Sequence, residues 1–293
     1  KFTDVDNTQH IRMGNFANLA FDKLIHHYNE DKINEFFKEV FIENFKENPI
    51  DYATCKDISE STDFKQYMED AKKQFFNIKR VIENDFPKYK IDLKQITLEP
   101  SFMSELFGIQ GRLDAGVHLH SDKNRIIVEL KSGSVPYKAG PDAIKPNHST
   151  QLLLYYLLIG GIKQGEKPYV NFQDLHKNIQ CFLLYSKVDK DNLRLEQPNL
   201  ARIQRVVELR NKIIKNEMIL MNDDVENTMQ LMQNIQPAHI LSPTGIYPKF
   251  REIISQQILE FMMPLHQAST LEKTYFYSFV NFVAKEQVIA KIG

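Results

Sequence analysis

The chain has 293 residues, of which 42% are hydrophobic and 26% charged, which is the composition of an ordinary folded protein and excludes a disordered or low-complexity chain. Its formal net charge is only -1, so any nucleic-acid surface has to be a local basic patch. Two cysteines, Cys55 and Cys181, are too few for a disulfide framework or a four-thiolate metal site and fit an intracellular, cytoplasmic setting.

Residues 1–95 read as an N-terminal helical part packing on a core, because FANLAFDKLIHHY and INEFFKEVFIENF repeat apolar residues at three-and-four spacing. A sheet follows. QITLEPSFM, GRLDAGVHL, RIIVEL and IQCFLLYSK are the strand candidates, and the QLLLYYLL helix falls between the last two. From Pro198 the pattern returns to helix, with ARIQRVVELRNKIIKNEMILMN long and well patterned before an interruption from Gln230 to Pro248. The expected division is therefore 1–95, a core over 96–215, and a C-terminal helical extension over 216–293. No apolar run approaches the roughly 18 residues of a membrane span, and no secretory signal is present. The chain opens on Lys1 rather than Met and ends within an aromatic-rich helical pattern, so a piece excised from a longer protein is expected. No Gly-x-x-x-x-Gly-Lys-Ser/Thr loop occurs, and no ATP site is expected.

Chemistry concentrates between residues 112 and 155. Along RIIVELKSG, alternation puts Glu129 and Lys131 on one face of a buried strand, where two charges need a reason. A divalent cation such as Mg²⁺ or Mn²⁺ supplies one, since hard cations are held by one or two carboxylates with room left for water and phosphate oxygens. The turn residues SDKNR predict a hairpin that brings Asp114 beside Glu129. Lys131 then flanks the site, where an ammonium can orient a nucleophilic water or offset charge on phosphorus. Gln151 and Tyr155, four residues apart, share one face of the following helix and can contact a phosphate or the attacking water.

The ordered set GIQGRLDA, IIVELKSG and HSTQLLLYYLL, with the CFLLYSK strand and the ELRNKI helix, resembles the RecB-type branch of the PD-(D/E)XK nucleases, and most closely the nuclease part of Dna-two-type replication helicase-nucleases, over about residues 14–215. The resemblance implies an α/β restriction-endonuclease-like fold, a mixed central sheet flanked by helices with helical extensions at both ends. It also implies a Mg²⁺- or Mn²⁺-dependent deoxyribonuclease of DNA replication or repair, acting on single-stranded DNA and attached to a helicase domain in cis, with the Leu130 carbonyl joining Asp114 and Glu129 at the metal.

Two departures stand out. Relatives place a His four residues after a Gly on an N-terminal helix, where it helps bind metal; here Asn18 follows Gly14 at that distance, and either ligates weakly through its carbonyl or leaves the site crippled. His26 and His27 read as surface or core residues. Several relatives also carry a four-cysteine iron-sulfur cluster, which Cys55 and Cys181 cannot hold, so no cluster is expected; Cys181 reads as a small buried apolar residue.

Candidate nucleic-acid contacts are Arg112, Lys138, Lys145 and His148, with Tyr137 as a stacking ring in the loop SGSVPYKAGPDAIKPNH; a solvated loop, and a helix-start hydrogen bond for His148, are the plainer readings. Glu99 reads as a strand-end surface carboxylate, with a place near the metal as the other possibility. Arg202, Arg205, Arg210 and Lys212 give the later helix a basic side, which reads first as a solvated face. Two rival functions stay open: a catalytically silent module of the same fold that binds nucleic acid or a partner protein, and a free-standing resolvase or restriction-type enzyme.

Overall fold

The computed structural model describes residues 7–28, 31–58, 60–120, 124–135, 140, 143–161, 178–222, 224–233, 235–241 and 248–292. The chain divides into two compact units, Lys1–Ile203 and Gln204–Gly293.

The first unit is α/β. Its N-terminal helices are α1 (Gln9–His27), α2 (Ile33–Glu47), the short α3 (Pro49–Thr54) and α4 (Ser61–Asn84). They form because their apolar residues recur at helical spacing: Tyr67, Ala71, Phe75, Ile78 and Ile82 line one side of α4 and are almost fully buried, and Phe16, Ala17, Ala20, Phe21 and Leu24 do the same on α1. Burying such a stripe, at roughly 1.5–3 kcal/mol per large side chain, is what holds these helices rather than their intrinsic propensity.

Beside them lies a five-stranded mixed sheet of β1 (Ile96–Leu98), β4 (Ala115–Val117), β5 (Arg125–Lys131), β6 (Ile179–Tyr185) and β7 (Leu193–Glu196), in that spatial order. Only β5 and β6 run parallel, and α5 (Pro146–Gly160) lies between them in sequence. Ile126, Val128 and Leu130 of β5, with Phe182 and Leu184 of β6, belong to the core shared with α1, α2 and α4. The alternate residues of β5, Ile127, Glu129 and Lys131, therefore face the other way, towards α5.

The segments QITLEPSFM and GRLDAGVHL, each expected as one strand, are each divided in two. β1 stops at Leu98 and β2 (Ser101–Ser104) follows, while β3 (Ile109–Arg112) precedes β4; β2 and β3 pair in a separate two-stranded ribbon. The break is a bend within one continuous hairpin. Leu98 pairs with Ala115 and Ser101 with Arg112, and between them the Glu99 N–H donates to the Asp114 carbonyl at 3.0 Å and the Leu113 N–H to the Pro100 carbonyl at 3.1 Å, all in one register. Its cause is local. Glu99 has φ 49°, a left-handed conformation uncommon outside glycine, and Pro100 after it brings no N–H to the ladder.

The second unit is helical among the described residues. α6 (Leu200–Met221) leads into it, followed by α7 (Val225–Gln233), α8 (Pro237–Ile240), α9 (Pro248–Gln267) and α10 (Thr270–Ile292). α7 and α10 are pinned through the buried Asn281 amide, which reaches Thr228 Oγ1 at 2.8 Å. No helix of the described residues is long and apolar enough to cross a membrane.

Candidate functional site

The β4–β5 hairpin places Ala115 opposite Val128, so the next residues outward, Asp114 and Glu129, stand side by side. Asp114 sits just before the start of β4, which frees its side chain to turn onto the backbone of β5, where Oδ2 accepts from the Leu130 N–H at 2.7 Å. Glu129 is 3% exposed. Its Oε1 accepts from Lys131 Nζ and from Gln151 Nε2, each at 2.7 Å, while Oε2 is buried with no donor reaching it. Gln151 also donates to the Tyr155 hydroxyl at 2.9 Å, and that hydroxyl donates to the Arg112 carbonyl at 2.9 Å. One hydrogen-bonded chain thus runs from Lys131 through Glu129, Gln151 and Tyr155 to β3. Gly111 makes room for it, since a Cβ there would meet the Tyr155 ring at 3.1 Å and Leu158 at 3.3 Å.

Electrostatics in the chain alone are unfavourable to two ionised acids. Burial and the neighbouring Asp114 charge push Glu129 up to about 7, against the pull of Lys131. Asp114 is also raised, by burial above all, with the Leu130 N–H and Lys131 opposing. A proton shared between the two carboxyls relieves this, and so would a cation.

The donors fit such a cation. An orphaned, buried carboxylate oxygen beside a second carboxylate is an all-oxygen set of the type that hard divalent ions take. The Lys131 carbonyl accepts from the Ser186 N–H of the segment after β6 at 3.0 Å, and alternation along the strand turns the Leu130 carbonyl to the opposite side, where its own N–H already meets Asp114. Among the described residues, no group of three or more His, Cys, Asp or Glu side chains is arranged to hold a metal. A cation here would have the Asp114 and Glu129 carboxylates and the Leu130 carbonyl as nearby protein oxygens.

Asn18 is an exposed residue of α1, and no hydrogen bond among the described residues joins it to Asp114 or Glu129. One turn further on, Asp22 is the α1 residue that senses the site. It is half-buried and pushed up to about 6 by burial, then by the charges of Glu99 and Asp114, with Arg112 opposing. In sequence, Asp22 is marked only as an acid set between the apolar Phe21 and Leu24 of a patterned helix. Glu99 pairs with Arg112 at 3.4 Å, at the bend beside Asp114.

His148 is held by the Tyr185 hydroxyl at 2.9 Å and pushed down to about 4 by burial and by Lys131 and Lys145. Lys145 reaches Ser134 Oγ at 3.3 Å, and its N–H meets the Tyr185 hydroxyl at 3.2 Å. Tyr137 and Lys138 lie outside the described residues. Arg202 holds Glu196 and Ser149, clamping β7 to α5, which leaves its guanidinium engaged by protein. Cys55 and Cys181 are separate buried thiols.

Compared with models of known families, with curated proteins and with solved structures, the chain gives no match in any of the three.

Proposed function

We propose that the chain is a metal-dependent nuclease that hydrolyses phosphodiester bonds, with single-stranded DNA as substrate, within a restriction-endonuclease-like fold. The observation that carries this reading is Glu129: a nearly fully buried acid with one oxygen unpartnered, set beside Asp114 and held by a lysine and a glutamine. A side chain kept only for packing would be cheaper as Gln or Leu, because burying an unpaired carboxylate oxygen costs several kcal/mol. The mixed sheet, with α5 falling in sequence between its two paired parallel strands, is compatible with this reading.

Asp114, Glu129 and the Leu130 carbonyl would hold Mg²⁺ or Mn²⁺, which when bound supplies a Lewis acid and an acidified water. The remaining groups act from their present positions. Lys131 carries the positive charge that orients a nucleophilic water and offsets charge on the phosphate oxygens. Gln151, fixed between Glu129 and Tyr155, orients the carboxylate and offers an amide to substrate, and Tyr155 anchors that helix face to β3. Single-stranded DNA, a role in replication or repair and a helicase joined in cis rest on the sequence resemblance alone.

A second reading, a silent module of the same fold, is favoured by the two-carboxylate limit of the site and by the ion pair that Lys131 already makes with Glu129. Incubation with end-labelled single-stranded and duplex DNA, with Mg²⁺, Mn²⁺ or EDTA, decides between them. Cleavage that needs the metal and vanishes in Glu129→Gln supports the nuclease; binding without cleavage under all conditions supports the module.

A further inference from the structure

Catalytic groups on β5 face α5, yet the strand's end opens on the other side as well. Past Lys131, Ser132 and Gly133 form one wall of a cavity of about 490 Å³ whose remaining lining comes from the first half of α1, from α4 and from Lys187 after β6. Ser132 lies three residues beyond Glu129, about 10 Å along an extended chain. Gly14 of α1 faces this wall, where a Cβ would stand in ordinary van der Waals contact with Ser132 Oγ at 3.7 Å.

The lining is polar and partly fixed. Gln74 is 3% exposed, its Oε1 accepts from Ser186 Oγ at 2.6 Å, and its Nε2 has no acceptor among the described residues. Ser186 in turn donates its N–H to the Lys131 carbonyl at 3.0 Å, so the Gln74 amide is positioned from the end of the catalytic strand. Two lysines stand at the wall. Lys73 is shared with Asp189 at 3.1 Å, whereas Lys187 is exposed and makes no ion pair among the described residues. Asp70, the acid of this lining, accepts from Gln66 at 3.1 Å. His10 adds an exposed imidazole at the start of α1, whose first turn carries no acid.

We propose that this groove is a subsite for the sugar-phosphate chain of the substrate strand next to the scissile phosphate. The proposal rests on the nuclease reading and deepens it. Lysine charge with amide and hydroxyl donors, and no aromatic ring apart from His10, suits a backbone held without regard to sequence. Its position at the carboxyl end of the parallel pair β5 and β6, where α/β sheets open to ligands, lets a strand cross the sheet edge from the acid pair into the groove.

The test uses Lys187→Ala, an exposed position outside the catalytic set, and Gln74→Met, which keeps volume and removes the amide. Binding of fluorescein-labelled twelve-residue oligothymidylate is measured in EDTA over a salt series, and cleavage of the same oligomer and of a tetranucleotide is measured in Mg²⁺. Lys187→Ala is expected to lower the slope of log affinity against log salt by about 0.7, the value for one single-strand phosphate contact. Both variants are expected to raise KM for the long oligomer, and Lys187→Ala to leave kcat for the tetranucleotide unchanged. Wild-type salt slope and KM in both variants, with cleavage intact, would overturn the subsite alone. A wild-type chain that neither binds nor cleaves DNA would remove the nuclease reading, and the subsite with it.

Discussion

Replacing Glu129 by Gln should stabilise the metal-free protein at pH 8 and do so far less at pH 5. Glu129 is raised from 4.5 to about 7 in the folded chain. A raised carboxyl binds its proton more tightly folded than unfolded, so the associated stability is complete below pH 4.5 and is lost as pH rises through 7. A displacement of that size corresponds to about 3 kcal/mol, an upper bound because Asp114 responds to the same change. Gln keeps the shape and the oxygen that accepts from Lys131 and Gln151, and removes the charge. The assay is urea unfolding in EDTA at both pH values, followed by far-ultraviolet circular dichroism because the chain has no tryptophan. Adding Mg²⁺ at pH 8 should then reverse the order, since a cation bound only by the folded state stabilises the wild type by mass action and finds one carboxylate fewer in the variant. An equal effect of the substitution at pH 5 and pH 8 would refute the buried-charge reasoning, and Mg²⁺ acting equally on both proteins would refute the metal site.

Asp114→Ala and Lys131→Ala should each reduce metal-dependent cleavage at least a hundredfold, on the order of one lost charge-stabilising group, with circular dichroism unchanged; wild-type rates in either would remove that residue from the mechanism. Gly111→Ala should destabilise the chain by about 1–3 kcal/mol and lower cleavage, because the new methyl pushes the Tyr155 ring off its bond to Arg112, and urea midpoints would expose an error if they did not move. Asp22→Asn should raise metal-free stability at pH 8 relative to pH 5, as Asp22 is pushed up to about 6, and should alter the Mg²⁺ and Mn²⁺ titration of cleavage, whereas the exposed Asn18→Ala should leave that titration unchanged.

How much of this was legible follows from which forces are local. Alternation along RIIVELK is a property of the strand, and the structure puts Glu129 and Lys131 on one face and in contact, as read. The pairing of Asp114 with Glu129 was legible too, because a turn-rich connection between two short strands fixes register. The bend at Glu99 was not, since a left-handed φ at a glutamate is imposed by what the chain does on either side and leaves no signature in residue type. The placing of α1 was the hardest part. Helical periodicity shows that Phe16, Ala20 and Leu24 turn inward, but which polar residue overlooks the acids depends on how the helix seats on the sheet; Asn18 is exposed, and the half-buried Asp22 is raised in part by the charges of Glu99 and Asp114. The basic side of α6 failed as a guide for Arg202 because a guanidinium read as free had Glu196 within reach.

The hairpin that runs unbroken in register from Ile96–Val117 to Ser104–Ile109 works as a counting device. Its outer half can be lengthened or trimmed without disturbing the pairing of Glu99 with Asp114, provided each arm gains or loses the same number of residues. An unmatched deletion within one arm, Ser101–Ser104 or Ile109–Arg112, would instead have to be absorbed as a bulge or passed inward as a slip, and a slip of one residue turns Asp114 to the opposite face of the sheet. Among related chains, the arms of the ribbon should therefore vary in length only by paired changes, with unpaired ones confined to its turn at 105–108, while the span from Asp114 to Glu129 tolerates variation solely in its own turn.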